Sequence, residues 1–375
     1  MHLIKKVLKF IFSKKILKYP PQKKIIVYDS HSKDITKKFL LNDYIILDTR
    51  YEKFYLPILL KNFLKFKFSY NDYLQEFLSY VNPKLLITFI DHDLNFYKLR
   101  MNSGKKIAIQ QSRRSELQED NFLKIKKKRG DFFKSDFIFT FNESVGKKYS
   151  SIIDTKINYL GSFRSNAVKL NSKKSNIEML YISTYRKSID QKARKKNSYD
   201  FEYMNYEYKL LNAINKYCSK NKKKITILGS SVEYPNEEKL FFSRYFKNNF
   251  HYLKRTRNRN TYKIIDKSKV VIGIDSTLIY ESLGRGVKSL FFCVRESRLY
   301  DFSSRRFSWP LKLKKEGTFW LNFYSEKKII NKINTMQKMN KKKWMSISKY
   351  YRKKIMPFNL GNKKLYEVIN KTLKD

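Results

Sequence analysis

Residues 269–292 constrain the fold of this chain more than any other stretch. They read KVVIGIDSTLIYESLGRGVKSLFF: a short β-branched run, a polar turn, one short helix, a break with two glycines and a second apolar run. A short β-branched run of this kind predicts a buried parallel strand. Ser276 and Thr277 stand where a helix N-cap belongs. The stretch therefore predicts a strand–helix–strand unit of an α/β sheet.

The turn in this stretch is a candidate anion site. Ligands of open α/β sheets bind at the carboxyl ends of the strands, and a helix N-terminus there favours a phosphate. Glu281 follows about one helical turn after the cap and could accept hydrogen bonds from a ribose. The alternative is a plain βαβ unit, in which Ser276 and Thr277 only cap the helix.

Net charge limits the kinds of partner. In 375 residues, 82 Lys and Arg stand against 33 Asp and Glu, which gives a formal net charge of +49. Such a surface attracts nucleic acid, anionic lipid or phosphorylated substrates. The basic residues are spread along the whole chain, however, and codons biased towards A and T would also enrich Lys. A hydrophobic content of 42% can supply real cores, which argues against disorder.

Residues 1–22 predict a basic amphipathic helix that ends at Pro20 and Pro21. It could lie on an anionic membrane or pack on its own domain. No run reaches the roughly 20 apolar residues that span a bilayer, and no signal-peptide cleavage site follows. Cys218 and Cys293 are far apart, so neither a disulfide framework nor a zinc site is indicated. These features predict a cytoplasmic protein, peripheral on the inner face of the cytoplasmic membrane.

Residues 23–165 predict a first Rossmann-like domain. Short apolar runs alternate with helix-like segments, as in a parallel, doubly wound sheet. Several strands end in polar residues that would line one rim of the sheet, although each could also be an ordinary loop or cap residue. The candidates at this rim are Asp29, His31, Asp91, His92, Asp93, Gln110, Arg113 and Arg114.

Residues 166–335 predict a second Rossmann-like domain, which follows a hinge rich in Gly, Ser, Asn and Lys. Residues 336–375 predict basic helices, the last of which could cross back towards the first domain. The predicted fold class is α/β, with two Rossmann-like domains facing a central cleft and basic helical extensions at both ends. The loops of the second domain could hold a nucleotide phosphate through Ser183, Thr184, Arg186, Gly229, Ser230, Asp275, Ser276, Thr277 and Glu281.

Three common fingerprints are absent from the sequence. Without G-x-G-x-x-G a dinucleotide-dependent oxidoreductase is disfavoured, and without G-x-x-x-x-G-K-[ST] a P-loop enzyme is disfavoured. Without a G-x-S-x-G elbow, a hydrolase of the α/β-hydrolase type is disfavoured as well. No RRM, KH or zinc-finger signature appears either.

Three parts of the chain carry a resemblance to a known family. They are GIDSTLIYESLGRG at residues 273–286, FIDHD at residues 89–93 followed by Phe96 and Tyr97, and IQQSRR at residues 109–114 with GSFRSN at residues 161–166. Here the chain resembles GT-B-type glycosyltransferases, in particular bacterial surface-carbohydrate proteins of lipopolysaccharide or capsule assembly. The likeness spans roughly residues 23–292.

The resemblance implies transfer of a sugar from a nucleotide-sugar donor to a glycan or lipid-linked glycan acceptor. It gives Ser276, Thr277 and Glu281 to the donor and implies that no metal or other cofactor is needed, because helix N-termini and basic side chains stabilise the leaving nucleotide. Asp91, His92 or Asp93 would be the general base. Asp29, His31, Gln110, Arg113 and Arg114 would then face the acceptor.

Other functions fit the same features. A nucleotide-sugar 2-epimerase or a polyol-phosphate transferase shares the two-domain architecture. A nucleic-acid-binding protein would use the +49 charge and the 28 Tyr and 29 Phe residues, but these aromatics fall mostly inside predicted strands and helices. No specific nucleic acid is therefore expected, and the sugar, the nucleotide and the acceptor stay open.

Overall fold

A computed structural model of the chain describes residues 8–30, 43–113, 132–171, 176–193, 195–256 and 260–374. The chain divides into two compact units. The first contains Met1–Gln111, Leu117–Arg164 and Asn362–Asp375, and the second contains Ser112–Glu116 and Ser165–Gly361. Two described segments thus belong to a unit other than the one that their place in the sequence suggests, namely residues 112 and 113 and the last helix.

Strands β1 to β8 belong to the first unit. They are β1 (Lys14–Ile16), β2 (Ile25–Tyr28), β3 (Tyr44–Leu47), β4 (Lys53–Tyr55), β5 (Leu85–Thr88), β6 (Lys105–Ile109), β7 (Lys134–Thr140) and β8 (Asp154–Tyr159). A parallel sheet has the order β3-β2-β5-β6-β7-β8, and β1 pairs separately with β4. The helices in this part of the chain are α1 (Leu56–Leu64), α2 (Tyr70–Val81), α3 (Leu94–Lys98), α4 (Glu143–Ser150) and the single turn α5 (Phe163–Asn166).

Both faces of this sheet are buried, as continuous apolar strands predict. Successive side chains alternate between faces. Ile26 and Tyr28 pack with Phe77 of α2 in one core, whereas Ile25 and Val27 belong to a second core on the other face. The alternating strands and helices predicted from the sequence therefore form a parallel sheet that is covered on both faces.

The N-terminal segment departs from the predicted helix. Residues 8–11 are helical, but residues 14–16 form β1 and pair in parallel with residues 53–55. The ammonium group of Lys15 donates hydrogen bonds to the carbonyl oxygens of Phe10, Ile11 and Ser13, at 2.7 Å for Ile11 and 2.9 Å for Ser13. These bonds satisfy carbonyl groups at the helix end. The prediction of one helix over residues 1–22 is wrong in its second half, because strand pairing competes with the helix there.

The second unit repeats the α/β alternation. Its strands are β9 (Ile177–Ile182), β10 (Ile225–Leu228), β11 (Phe250–Leu253), β12 (Ser268–Gly273), β13 (Lys288–Phe292), β14 (Glu316–Gly317) and β15 (Trp320–Leu321). They form one sheet in the order β11-β10-β9-β12-β13-β15-β14, antiparallel only between β14 and β15. Its helices are α6 (Lys187–Lys192), α7 (Tyr199–Lys220), α8 (Pro235–Phe246), α9 (Asn260–Asp266), α10 (Thr277–Gly284), α11 (Glu326–Lys338) and α12 (Lys341–Ile355).

Helix α12 fixes the short helix α10 that follows the predicted phosphate turn. The indole of Trp344 is buried and donates a hydrogen bond to the carbonyl oxygen of Gly286 at 2.9 Å. A Cβ atom on Gly284 would lie 2.5 Å from the carbonyl oxygen of Met356, so only glycine allows this approach.

The last helix, α13 (Lys363–Lys374), contributes Leu365 and Ile369 to a core of the first unit.

We predict that Gly284→Ala destabilises the protein by about 1–3 kcal/mol, because the added methyl group must displace the backbone at Met356. In an unconstrained helix the same change stabilises by about 1 kcal/mol. The measurement is the free energy of unfolding in urea, with Lys353→Ala on the exposed face of α12 as the control. A stability equal to or above that of the parent protein would show that α10 and α12 are not in this contact.

Candidate functional site

Three strand ends of the second unit meet at one cavity. Strand β9 leads to Ser183, β10 to Gly229 and β12 to Asp275, and the carboxyl ends of parallel strands share one edge of the sheet. The cavity has a volume of about 800 Å³. It is lined by Ser112, Arg113, Ser183, Thr184, Tyr185, Arg186, Lys187, Ser188, Gln191, Tyr203, Ser230, Ser231, Tyr234, Arg255, Asp275, Ser276, Thr277 and Arg305.

Most of the charged groups on this lining are cations. Among the described residues they are Arg113, Arg186, Lys187, Arg255 and Arg305, and Asp275 is the carboxylate. Lys187 also pairs with Glu237 at 2.8 Å, outside the lining. Low-dielectric walls concentrate the field of such a cleft. The cavity is therefore suited to an anionic ligand.

The N-terminus of α10 opens onto this cavity. Ser276 is the N-cap residue in extended conformation, and its hydroxyl oxygen accepts a hydrogen bond from the N–H of Leu278 at 3.4 Å. The first turn of a helix carries partial positive charge and N–H groups without intrahelical partners. The Ser-Thr pair thus caps the helix and also lines the cavity.

Arg113 lines this cavity of the second unit. Its backbone N–H donates to the hydroxyl oxygen of Thr277 at 3.1 Å, and its guanidinium group donates to the carbonyl oxygen of Ser304 at 3.0 Å. The guanidinium carbon stands 4.5 Å from the ring centroid of Tyr280 on α10. Arg113 was predicted to face the acceptor, and its contacts lie instead with residues of the second unit.

A buried ionic cluster supports the floor of the cavity. The guanidinium group of Arg295 donates to Asp275 and to Glu207, both at 2.8 Å, and all three side chains are almost fully buried. The face of Tyr203 lies 3.7 Å from the guanidinium carbon. Arg305 reaches the second carboxylate oxygen of Asp275 at 3.2 Å. The cluster joins the ends of β12 and β13 to helix α7.

Burial would raise the pKa of Asp275, but Arg295, Arg305 and Arg113 lower it to about 2. The carboxylate therefore stays ionised at neutral pH. Burial raises the pKa of Glu207 above its ordinary value, against the opposing effect of Arg295. The two carboxylates share one arginine, and Asp275 holds the charge more firmly.

The loop at Gly229 and Ser230 does not form the expected phosphate cradle. The backbone N–H groups of Ser230 and Ser231 donate to the carboxylate of Glu238 at 2.8 and 3.1 Å. The hydroxyl groups of Ser183 and Tyr252 also donate to Glu238, which is fully buried. This glutamate already occupies the position of an anion. The backbone N–H groups that were predicted to hold donor phosphates are thus bonded to Glu238, while Ser230 itself lines the cavity.

The other predicted donor residues divide into two groups. Thr184 lines the cavity and donates to Glu207, and Arg186 is exposed on the lining at the start of α6. Glu281 is buried within α10 and is not among the described lining residues. Glu281 lies about one helical turn after the cap, as its spacing predicted, but its side chain is buried in the second unit.

The predicted catalytic residues lie at the end of β5 in the first unit. Asp91 is fully buried and accepts hydrogen bonds from the hydroxyl of Tyr149 and the N–H of Gln111. Asp93 caps α3 through the N–H of Asn95 at 3.0 Å and accepts from the hydroxyl of Tyr28 at 2.8 Å. His92 is exposed. Asp93 therefore has structural contacts. Of Asp91, His92 and Asp93, it is His92 whose side chain is exposed to solvent.

Two predicted acceptor residues of the first unit also have structural contacts. Asp29 accepts from Thr49 at 2.6 Å and from Arg50 at 2.8 Å. The side-chain oxygen of Gln110 accepts from the N–H of Phe141 at 2.9 Å and so ties two strand ends together. His31 and Arg114 lie outside the described residues.

Sequence reasoning missed Arg295, Arg305, Tyr203, Glu207 and Glu238. Arg295 and Arg305 follow β13, and basic residues after a strand of the same sheet were a usable signal. Glu207 and Glu238 lie within helices, where nothing in the local sequence distinguishes them from exposed carboxylates. Within the described ranges, no group of three or more His, Cys, Asp or Glu side chains could hold a metal ion.

A family model described as "putative O-antigen biosynthesis protein" matches residues 107–373, more than two thirds of the chain. The chain belongs to this O-antigen biosynthesis family. The match includes the whole strand–helix–strand stretch at residues 269–292 and the cavity lining described above. No curated protein sequence matches the chain.

Solved structures agree with the fold of this family member. The wall teichoic acid polymerase TagF is 11% identical, with a TM-score of 0.51 over 99% of this chain and 93% of that chain. A "putative UDP-N-acetylglucosamine 2-epimerase from Listeria monocytogenes" is 10% identical, with a TM-score of 0.53 over 94% of this chain and 97% of that one. TarM matches 81% of this chain at a TM-score of 0.46, and the chain spans 57% of the length of TarM. At these identities the likeness to TagF and to the epimerase shows the α/β GT-B fold alone.

We predict that Arg295→Met lowers the free energy of unfolding by about 3–5 kcal/mol, because it leaves Asp275 and Glu207 buried without their shared cation. The matched control is Arg298→Met, an exposed arginine of the same loop, with little expected change. Urea unfolding measures both. Adding Glu207→Gln to Arg295→Met should recover part of the loss, and equal stabilities of the Arg295 and Arg298 variants would contradict the account.

Proposed function

We propose that this protein is a glycosyltransferase that moves a sugar from a nucleotide-sugar donor to a surface-glycan acceptor of lipopolysaccharide or capsule type. The observation that carries the proposal is the cationic cavity at the N-terminus of α10. Membership of an O-antigen biosynthesis family and the GT-B fold support it.

The chemistry of the leaving group fits this cavity. When a glycosidic bond to a nucleoside diphosphate breaks, negative charge grows on the diphosphate oxygens. Hydrogen-bond donors and cations already in place stabilise that charge without reorganisation. The first turn of α10 and the guanidinium groups of Arg305 and Arg113 lie on the same lining. We therefore assign the diphosphate to these groups and propose that the transfer needs no metal.

The acceptor reaction requires a base. A hydroxyl group of the acceptor must lose its proton as it attacks the anomeric carbon. Of the residues predicted for this role, His92 has the exposed imidazole, whereas Asp91 is fully buried and accepts hydrogen bonds from Tyr149 and Gln111. We assign proton removal to His92. We also place the reaction at the inner face of an anionic membrane, where a lipid-linked acceptor would be found.

A second candidate is transfer of a polyol phosphate. The wall teichoic acid polymerase TagF matches nearly the full length of both chains. This candidate would use the same diphosphate site. Mass spectrometry of the products separates the two, since a polyol-phosphate transferase adds a phosphate to the acceptor and a glycosyltransferase does not.

We predict that Arg305→Gln weakens nucleotide binding by about 10- to 100-fold, because a charge-assisted hydrogen bond to phosphate is lost. Binding of CMP, UDP and GDP would be measured by calorimetry with the parent protein and the variant. Arg306→Gln is the control, because this neighbouring arginine is exposed and does not line the cavity. Equal weakening by both changes would indicate a diffuse charge effect, and no weakening by Arg305→Gln would reject the diphosphate assignment.

A further inference from the structure

The first unit carries a large groove with a mostly apolar lining. The groove has a volume of about 910 Å³. It is lined by residues of the N-terminal segment, of α1 and of the turn after α1, among them Phe10, Leu17, Tyr19, Leu60, Phe63 and Phe68. Contiguous exposed apolar surface of this kind marks a binding site for an apolar partner.

Helix α1 exposes several apolar side chains. Ile58 and Asn62 face the core, and the side-chain oxygen of Asn62 is buried with no hydrogen-bond partner. Leu60, Phe63 and Leu64 are exposed on the remainder of the helix, at 60, 64 and 70%. A surface helix of a globular protein normally turns its polar residues outward. The sequence of α1 therefore indicates an apolar environment outside the first unit.

The turn that follows α1 points aromatic side chains outward. Phe66 is 84% exposed and has a φ of +53°, a left-handed conformation that is costly for a bulky residue. The backbone N–H of Lys67 donates to the carbonyl oxygen of Asn62 at 2.9 Å and helps to fix the turn. Phe68 is 70% exposed and meets the ring of Phe63 edge-on at 5.8 Å. The fold thus holds Phe66 and Phe68 in water at a conformational cost.

Basic residues surround this apolar surface. Lys9, Lys14 and Lys18 are exposed in the N-terminal segment that supplies Phe12 and Leu17, which are themselves 83 and 81% exposed. Lys67 lines the groove. Two copies of such a surface would repel each other through their lysines, whereas a bilayer with anionic headgroups matches both the charge and the apolar side chains.

We infer that residues 8–19 and 56–68 form one composite surface that docks on an anionic lipid bilayer, with Phe12, Leu64, Phe66 and Phe68 entering the acyl region and the lysines contacting headgroups. The inference gives a location to the membrane attachment proposed above and rests on that part of the proposed function. The N-terminal segment alone is half of this surface, and the turn after α1 is the other half.

The test is co-flotation of the full chain with phosphatidylglycerol-containing vesicles and with phosphatidylcholine vesicles. The double change Leu64→Asp with Phe66→Asp should weaken binding to the anionic vesicles by tenfold or more, since each buried apolar side chain contributes about that factor. The matched control, Leu240→Asp with Leu299→Asp, alters exposed leucines of the second unit and should leave binding unchanged. Phosphatidylcholine vesicles should bind more weakly, by about fivefold for each lysine in contact.

Three results would overturn the inference. They are unchanged flotation of the Leu64 and Phe66 double variant, equal loss in the control, and a dimer in the parent protein that the double variant dissociates while vesicle binding persists. Nucleotide binding of the double variant, measured by calorimetry, should match the parent protein. It verifies folding and keeps a failure of the membrane inference distinct from a failure of the donor-site proposal.

Discussion

The candidate site depends on one buried arginine. Arg295 is enclosed by Asp275, Glu207, Thr184 and the face of Tyr203, so two carboxylates compensate its charge. An isolated buried charge is very costly, whereas a paired and hydrogen-bonded one is tolerated. The ends of β9, β12 and β13 must therefore keep a fixed arrangement around it. That arrangement sets the position of Asp275, which in turn holds Arg305 at the cavity.

This cluster determines which charges of the second unit are neutralised internally and which face the cavity. Asp275 and Glu207 neutralise much of the arginine charge inside the protein, while the helix N-terminus and Arg305 present positive charge to the cavity. Glu238 accepts hydrogen bonds from a second set of N–H groups, those of Ser230 and Ser231. One potential anion site is thus closed by a carboxylate, and the other stays open to a ligand. This asymmetry supports a diphosphate at α10.

The sequence predicted those parts of the molecule that local pattern determines. Residues 269–292 form the expected strand, helix and strand, because β-branched runs, a Ser-Thr cap and glycines act over a few neighbours. The Arg295–Glu207 pair joins residues 88 positions apart, so no local pattern could indicate it. The same holds for Glu238, which took the donors assigned to a phosphate, and for the pairing of β1 with β4, which ended the N-terminal helix early.

The central claim is that a nucleoside diphosphate binds at the first turn of α10. The most direct measurement is a crystal structure of the protein with UDP, with GDP and CMP as comparisons. The account predicts phosphate oxygens within hydrogen-bond distance of the backbone N–H of Thr277 and of the guanidinium group of Arg305. Phosphates bound at the loop of Gly229 to Ser231 with Glu238 displaced, or bound outside the second unit, would contradict it.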